Sequence, residues 1–161
     1  MKNNRKIIVS VIGGHATTDK VVYIAHEIGK IVAKMEAVLV CGGLTGVMEA
    51  VSKGAAEAGG LIIGLLPGVE KADANPYVNI PITTTIGFAR NAMVACSADV
   101  IIALPGSHGT SSEISYGLVY KKPIIDFGNW NREGMIKVND LKELEGVLAN
   151  LINEIRSNLN G

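Results

Sequence analysis

Aromatic residues are scarce in this chain of 161 residues, where they make up 4% of the composition with a single tryptophan. The 15 basic and 15 acidic side chains cancel, and lysine and arginine form no cluster. Proteins that bind nucleic acids use positively charged surfaces, and those that bind single strands add stacking aromatics. The composition therefore argues against a nucleic-acid partner, and it gives no reason to expect binding to a membrane surface.

Long apolar runs are also missing. No stretch approaches the roughly 20 apolar residues that a membrane helix needs. The start of the chain, Met1 to Lys6, is polar and basic but leads directly into a short aliphatic run. This pattern differs from that of a signal peptide, whose basic start precedes a longer apolar core. We therefore expect a cytoplasmic protein without membrane contact.

Cysteine is limited to Cys41 and Cys96, and each lies in an apolar run. Such positions favour buried free thiols over a disulfide. The three histidines, His15, His26 and His108, are scattered and have no cysteine close by. Because no pattern has metal-ligand spacing, we expect no bound metal and no required cofactor.

What the chain has in quantity is aliphatic residues and glycine, arranged as short apolar runs that alternate with amphipathic segments. The predicted strands are 6–12, 37–41, 61–66, 99–104 and 123–127. The predicted helices are 19–34, 45–58, 85–97, 110–120 and 140–158, and 69–83 is expected to be mostly loop with an extended piece at 77–82. This alternation predicts one α/β domain over 1–161, of Rossmann-like type, with a parallel sheet and helices on both faces.

Glycine-bearing turns follow four of the five predicted strands. They contain Gly13-Gly14, Gly42-Gly43, Pro67-Gly68 and Pro105-Gly106. Any strand-to-helix turn favours glycine, which is the simplest explanation for one such turn. Since the carboxyl ends of parallel strands meet at one rim of the sheet, four of them together indicate a ligand site there.

The most specific motif runs from Pro105 to Glu113 and reads P-G-S-H-G-T-S-S-E. It follows an aliphatic strand and opens a helix, so free N–H groups, the helix dipole and nearby hydroxyls predict a phosphate site. Thr110 and Glu113 also have the spacing of a capping box, which would give Glu113 a purely structural role. His108 fits either an ordinary loop histidine or a general base.

Two common nucleotide sites are excluded by their signatures. The G-x-x-x-x-G-K-[ST] loop of NTPases is absent. The first strand is followed by Gly-Gly-His rather than G-x-G-x-x-G, and the second ends in Cys41-Gly42-Gly43 without an acid for a ribose. A dinucleotide such as NAD is therefore not expected.

Arg90 stands in the otherwise small and apolar segment from Gly87 to Met93. A lone arginine of this kind commonly extends to solvent or pairs with a surface acid. Because this helix precedes the fourth strand, its start can also lean over the same rim, where Arg90 would grip a phosphate or carboxylate. The pattern alone leaves both interpretations open.

At these residues the sequence resembles the LOG-type family, misleadingly labelled "lysine decarboxylase-like". Residues 105–113 resemble its PGGxGTxxE motif, 42–50 its GGxxGlMga segment and 90–93 its R-K-x-x-M segment. The resemblance covers about residues 6–127. It is strongest to a short branch that includes molybdenum-cofactor carrier proteins, through residues 42–60, 63–68, 74–82 and 87–91.

LOG enzymes cleave the N-glycosidic bond of nucleoside 5′-monophosphates, so the resemblance implies that Glu113 is the catalytic acid/base or electrostatic carboxylate and that Arg90 is its arginine partner. A carboxylate suits this reaction because positive charge develops on the sugar. The positions expected to hold the phosphate ligand are Gly13, Gly14, Gly42, Gly43, Gly46, Pro67, Gly68, Asn91, Gly106, Ser107, His108, Gly109 and Thr110.

Three departures weaken the enzymatic interpretation more than the binding one. Ser107 replaces the second glycine of the family motif, Ser112 replaces an acidic residue and Asn91 replaces a lysine.

Two functions therefore compete: a phosphoribohydrolase acting on AMP-like nucleotides, and a carrier whose cargo is molybdenum cofactor, another pterin or a nucleotide. A distant likeness to DNA-processing Rossmann proteins is a third, which the composition opposes. The resemblance also implies a homodimer or larger oligomer, with helix 85–97 as a plausible interface.

Overall fold

The computed structural model describes residues 3–161 and contains a seven-stranded sheet in which all paired strands run parallel. Its strands are β1 (Ile8–Ile12), β2 (Val38–Cys41), β3 (Ile62–Leu66), β4 (Ile80–Thr83), β5 (Val100–Ala103), β6 (Ile124–Asp126) and β7 (Ile136–Lys137). Their order across the sheet is β4-β3-β2-β1-β5-β6-β7. The predicted fold class is confirmed. Met1 and Lys2, which begin the predicted domain, lie outside the described residues.

Helices cover both faces of this sheet. They are α1 (Asp19–Lys34), α2 (Val47–Glu57), α3 (Asn91–Ser97), α4 (His108–Val119) and α5 (Leu141–Asn160). One apolar cluster joins α1, α2 and α5 to the sheet, and the other joins α3 and α4 to the opposite face. Neighbouring residues of β5 alternate between the two clusters, as Val100 and Ile101 do, because side chains on a strand point to opposite faces.

The order of the strands fixes where a ligand can bind. Val9 of β1 pairs with Leu39 of β2 on one side and with Val100 of β5 on the other. The chain moves outward from β1 through β2, β3 and β4, and then returns to place β5 on its other side. In parallel sheets this reversal opens a crevice at the carboxyl ends of the two central strands.

Two strands were not predicted as strands: the extended piece expected at 77–82 overlaps β4, and β7 was missed. The region 69–83 contains β4, which pairs with β3 although Pro81 lies within it. An edge strand tolerates proline because one side of its backbone has no neighbouring strand. Strand β7 has only two residues and pairs with Ile125 and Asp126 of β6, so it is too short to show alternation.

Two helices differ from their predicted extents at the rim of the sheet. The predicted helix 85–97 consists of a 3-10 turn, Gly87–Arg90, followed by the seven-residue α3. Helix α4 begins at His108 rather than at Thr110. The first change places a 3-10 turn close to the predicted site, and the second places the first turn of α4 there.

The last helix, predicted to begin at residue 140, begins at Leu141, and Asp140 is the residue that caps it. Asp140 accepts a hydrogen bond from the N–H of Glu143 at 2.8 Å, and Glu143 in turn accepts from the N–H of Asn139 at the same distance.

Cys41 is buried and Cys96 half-buried, and both are free thiols. Among residues 3–161 no helix is both long and apolar enough to cross a membrane.

Candidate functional site

A cavity of about 670 Å³ lies at the carboxyl ends of β1 and β5, where the strand order reverses. Its walls come from the loop after β1, the loop after β5, the first turns of α4 and the 3-10 turn before α3. This is the rim at which the glycine-bearing turns predicted a ligand. The side chains that line it with ionisable groups are His15, Arg90, His108 and Glu113.

Backbone contacts hold the two loops together. The N–H of Gly14 donates to Pro105 O at 3.0 Å, and Gly14 O accepts from the N–H of Val47 at the start of α2, also at 3.0 Å. A Cβ at Gly106 would lie 2.1 Å from Thr110 Oγ1 and 2.9 Å from Gly14 N. Glycine at position 106 is therefore required by close packing.

The first turn of α4 faces this cavity with free donors. Its first intrahelical bond runs from the N–H of Ser111 to Ser107 O at 2.9 Å. The N–H groups of His108, Gly109 and Thr110 come earlier and have no partner within the helix. Because the helix dipole is also positive here, the turn suits an anionic group.

The capping-box interpretation of Thr110 and Glu113 is wrong. Ser107 is the residue that precedes the helix, and its side chain makes no capping hydrogen bond. Thr110 lies inside α4 and is buried, and Glu113 is one turn further along. Glu113 therefore does not serve the helix end.

Arg90 is 6% exposed, so the interpretation that it extends to solvent or pairs with a surface acid is also wrong. Its Nε donates to Leu65 O at 2.8 Å, and its Nη1 donates to Asn91 Oδ1. Its Nη2 lies 2.8 Å from the position that a Cβ on Gly42 would occupy. The lack of a side chain at Gly42 therefore makes room for the guanidinium at the cavity wall.

Glu113 is 7% exposed and lines the same cavity. The ion pairs closer than 4 Å within residues 3–161 do not include Arg90 and Glu113. Burial raises the pKa of the Glu113 carboxyl to about 8, and the charge of Arg90 opposes this shift only in part. At neutral pH Glu113 is mainly an uncharged acid.

Asn91 connects α3 to the start of α4. Its Nδ2 donates to Ser112 Oγ at 3.1 Å and to Gly109 O at 3.4 Å. Ser112 Oγ donates to Gly109 O at 2.6 Å. The two residues that depart from the LOG-type motif at these positions thus bond to each other and brace the first turn of α4.

Most of the predicted site residues meet at the cavity. Those that line it are Gly13, Gly14, Gly42, Pro67, Arg90, Asn91, Gly106, Ser107, His108, Gly109, Thr110 and Glu113. Three others do not: Gly43 packs on Leu66 and Gly64, Gly46 packs on the backbone of Gly14 and His15, and Gly68 faces Asp73. At Gly46 the φ is 70°, and a Cβ would lie 2.4 Å from His15 Cα, so both the backbone conformation and the packing require glycine there.

Several wall residues were not predicted. Thr17 and Thr18 follow the first glycine turn, and Met48 and Phe88 supply apolar surface. A threonine directly before a helix is a capping signal, and Thr18 does accept from the N–H of Val21 at 3.3 Å. No sequence pattern marks Phe88 as a wall residue.

No group of three or more His, Cys, Asp or Glu side chains within the described residues is placed to hold a metal ion.

A parallel Rossmann-like sheet with a cavity at its reversal point defines an α/β protein of the type that binds small ligands at this rim. The chain belongs to the SLOG cluster4 family, whose family model matches residues 6–155. A relative from Archaeoglobus fulgidus, an uncharacterized protein, is 40% identical over 110 residues, which are 68% of this chain and 72% of the relative.

Two similar solved structures are proteins of the molybdenum cofactor. The molybdenum cofactor binding protein from Rippkaea orientalis is 32% identical, with a TM-score of 0.86 over 93% of this chain and 99% of that protein. The molybdenum cofactor carrier protein from Chlamydomonas reinhardtii is 31% identical, with a TM-score of 0.81 over 92% and 99%. DNA processing protein A from Helicobacter pylori, at 20% identity and a TM-score of 0.69 over 89% and 80%, shares the fold alone.

Proposed function

We propose that this protein binds a small phosphate-bearing ligand in the rim cavity and acts as a carrier, with molybdenum cofactor or a related pterin as its cargo. The observation that carries the proposal is that two kinds of anion-binding group line the same cavity. One is the set of free first-turn N–H groups of α4, and the other is Arg90, a buried cation without a carboxylate partner within 4 Å. A buried charge needs a counter-charge, and a ligand phosphate supplies one. The similarity to two molybdenum-cofactor proteins supports this cargo.

Hydrolysis of nucleoside 5′-monophosphates is the second candidate, because Arg90 and Glu113 are both retained at the cavity. That reaction needs an anion beside the developing positive charge of the sugar. Burial keeps Glu113 mainly protonated at neutral pH, which opposes the role of an anion but suits that of a general acid toward the leaving base. The departures from the LOG-type motif at Ser107, Asn91 and Ser112 favour an AMP-like nucleotide as a bound ligand over a substrate.

The proposal includes a homodimer formed through α3 and α4. Phe88, in the 3-10 turn before α3, is 81% exposed, and Met93 on α3, Tyr116 on α4 and Tyr120 at the end of α4 are also exposed. Helix α3 has no charged side chain, and α4 has no lysine or arginine and a single acidic residue, the buried Glu113. A largely apolar face suits a second copy of itself. Phe88 also lines the cavity, so this face lies beside the ligand site.

Calorimetric titration with AMP and with neopterin phosphate, a stable phosphorylated pterin, tests binding at the cavity. The informative variant is Gly109→Val, since its side chain would enter the cavity in front of the α4 donors. The matched control is Gly146→Val on α5, where a Cβ meets nothing within 4 Å.

We expect micromolar or tighter binding of at least one probe to the wild type and to Gly146→Val. Gly109→Val is expected to weaken it at least tenfold. Equal binding by all three proteins would contradict the site, and absence of binding by the wild type would contradict the function. Release of adenine from AMP by the wild type would favour the hydrolase instead.

A further inference from the structure

Two buried polar groups face the cavity without a partner in the protein. No hydrogen bond within residues 3–161 uses the Glu113 carboxyl, and those of Arg90 use Nε and Nη1 but leave Nη2 free. No buried side-chain polar atom of the described residues is both closed off from solvent and unpaired. Both groups therefore open onto the cavity that they line.

The two groups also do not satisfy each other, since they are not within 4 Å. Arg90 is held away by its bonds to Leu65 O and Asn91 Oδ1, which fix the plane of the guanidinium. The Glu113 carboxyl and Arg90 Nη2 are therefore both left available to a ligand in the cavity.

The remaining titratable neighbours do not supply a cation to ionise Glu113. Cys41, on β2, is fully buried, and burial raises the pKa of its thiol, so it stays uncharged at neutral pH. His15 and His108 line the same cavity but are exposed. Arg90 is the charged group that lowers the pKa of Glu113, and burial outweighs it, leaving the pKa at about 8.

We propose that Glu113 and Arg90 act together as a pair of hydrogen-bond donors for an acceptor oxygen of the ligand, with Glu113 taking part as a neutral acid. This rests on the proposed function and adds a specificity-determining contact to it. The acceptor belongs either to the phosphate or to the rest of the ligand. In both cases Arg90 Nη2 and the Glu113 hydroxyl meet it from the wall of the cavity.

A consequence of this pairing is that ligand binding is linked to a proton. Ionisation of Glu113 removes one donor and places a negative charge against an acceptor. Affinity should therefore be constant below the pKa of Glu113 and fall by up to about tenfold per pH unit above it. Binding above pH 8 should take up one proton.

The test is calorimetric titration of AMP and neopterin phosphate between pH 7.5 and 9.5, with wild type and Glu113→Gln. For the wild type we expect roughly 20-fold weaker binding at pH 9.5 than at pH 7.5, as one proton near pH 8 dictates. Glu113→Gln keeps a donor at every pH, so its affinity should change less than threefold. Any titration of the ligand itself appears equally in both proteins. His15→Gln and His108→Gln should retain the wild-type pH dependence.

Adenosine and neopterin, which lack the phosphate, locate the acceptor. If their weaker binding keeps the same pH dependence, the acceptor lies in the ligand body; if the dependence disappears, it lies in the phosphate. Glutamate labelled with ¹³C gives a readout without ligand: in the wild type one carboxyl signal, absent from Glu113→Gln, should titrate near pH 8.

Three results would overturn this proposal. Titration of the Glu113 signal near pH 4.5 would show that the acid is ionised, and probe binding that does not change between pH 7.5 and 9.5 would remove the proton linkage. Either leaves the proposed function standing. Failure of the wild type to bind AMP and neopterin phosphate at any pH would overturn the proposed function and this proposal together.

Discussion

Thr110 occupies the space that a side chain at Gly106 would need: a Cβ there would lie 2.1 Å from Thr110 Oγ1. Three residues on, at Gly109, a Cβ would meet only Asn91 Nδ2, at 3.7 Å. These two glycines of the 105–113 motif therefore have different roles. The first is required by packing, whereas the second leaves open space at the cavity.

We expect Gly106→Ala and Gly109→Ala to change stability in opposite directions. Gly106→Ala forces Thr110 and the Gly14 loop apart, which should lower the free energy of unfolding by about 1–3 kcal/mol. Gly109→Ala adds a methyl group inside a helix without a clash, which should raise it by up to about 1 kcal/mol. Urea denaturation of both variants measures this. A destabilised Gly109→Ala with an unchanged Gly106→Ala would contradict the described loop.

Glu113 should make stability depend on pH. In the unfolded chain its carboxyl titrates near 4.5, and in the folded protein near 8. Between these values the unfolded state releases the proton and the folded state keeps it, so the contribution of Glu113 is fully present below pH 4.5 and is lost as pH rises to 8.

The substitution Glu113→Gln removes this loss. The variant should match the wild type near pH 4.5 and be more stable by roughly 2–4 kcal/mol at pH 8. Urea denaturation at pH 5 and pH 8 compares the two proteins, and other titrating groups cancel in the difference. A variant less stable than wild type at pH 8 would show that the carboxyl is ionised and paired in the folded state.

Asp126, which no motif singled out, organises the loop beside the site. It is 1% exposed, and its carboxylate accepts from the N–H groups of Gly128, Trp130 and Asn131 at 3.0, 3.1 and 2.8 Å. Trp130 Nε1 then donates to Leu104 O at 3.1 Å, next to the cavity loop. Asp126→Ala leaves three N–H donors without this acceptor and should lower the free energy of unfolding by about 2–4 kcal/mol.

Because Trp130 is the single tryptophan of the chain, its fluorescence reports on this loop alone. We expect a red-shifted emission for Asp126→Ala in the folded protein. The control Asp140→Ala removes another carboxylate that accepts a backbone N–H, at the start of α5. It should leave the emission unchanged. An unchanged spectrum in Asp126→Ala would contradict the role given to the carboxylate.

The apolar face of α3 and α4 predicts the effect of a charge on assembly. Phe88→Asp should shift the protein from dimer to monomer in light scattering coupled to size exclusion, because a carboxylate would be buried at the interface. Tyr23→Asp is the control, since Tyr23 is 62% exposed on α1 at the opposite face of the sheet. A monomeric wild type would contradict the interface.

The sheet was predictable because its strands are buried aliphatic runs between glycine turns, as β1 and β5 show. Strand β4 was expected only as an extended piece, because it contains Pro81 at an edge, and β7 was missed because it has two residues. The cavity followed from the rule that ligands bind at the carboxyl ends of parallel strands.

What the patterns could not give is the state of the arginine and the glutamate that line the cavity. Arg90 and Glu113 are 23 positions apart, and only the packing of α3 on α4 shows that both are buried without forming an ion pair. The capping-box spacing of Glu113 was misleading because α4 begins two residues earlier than the pattern suggests. Burial, not local sequence, sets the chemistry of this site.

The most direct test of the central claim is native mass spectrometry of the protein purified without denaturation from cells supplied with molybdate, together with elemental analysis for molybdenum. We expect a bound phosphorylated pterin, with molybdenum at up to one atom per chain, and its loss from Gly109→Val but not from Gly146→Val. A wild-type protein that carries neither pterin nor nucleotide, from cells that make molybdenum cofactor, would contradict the carrier function.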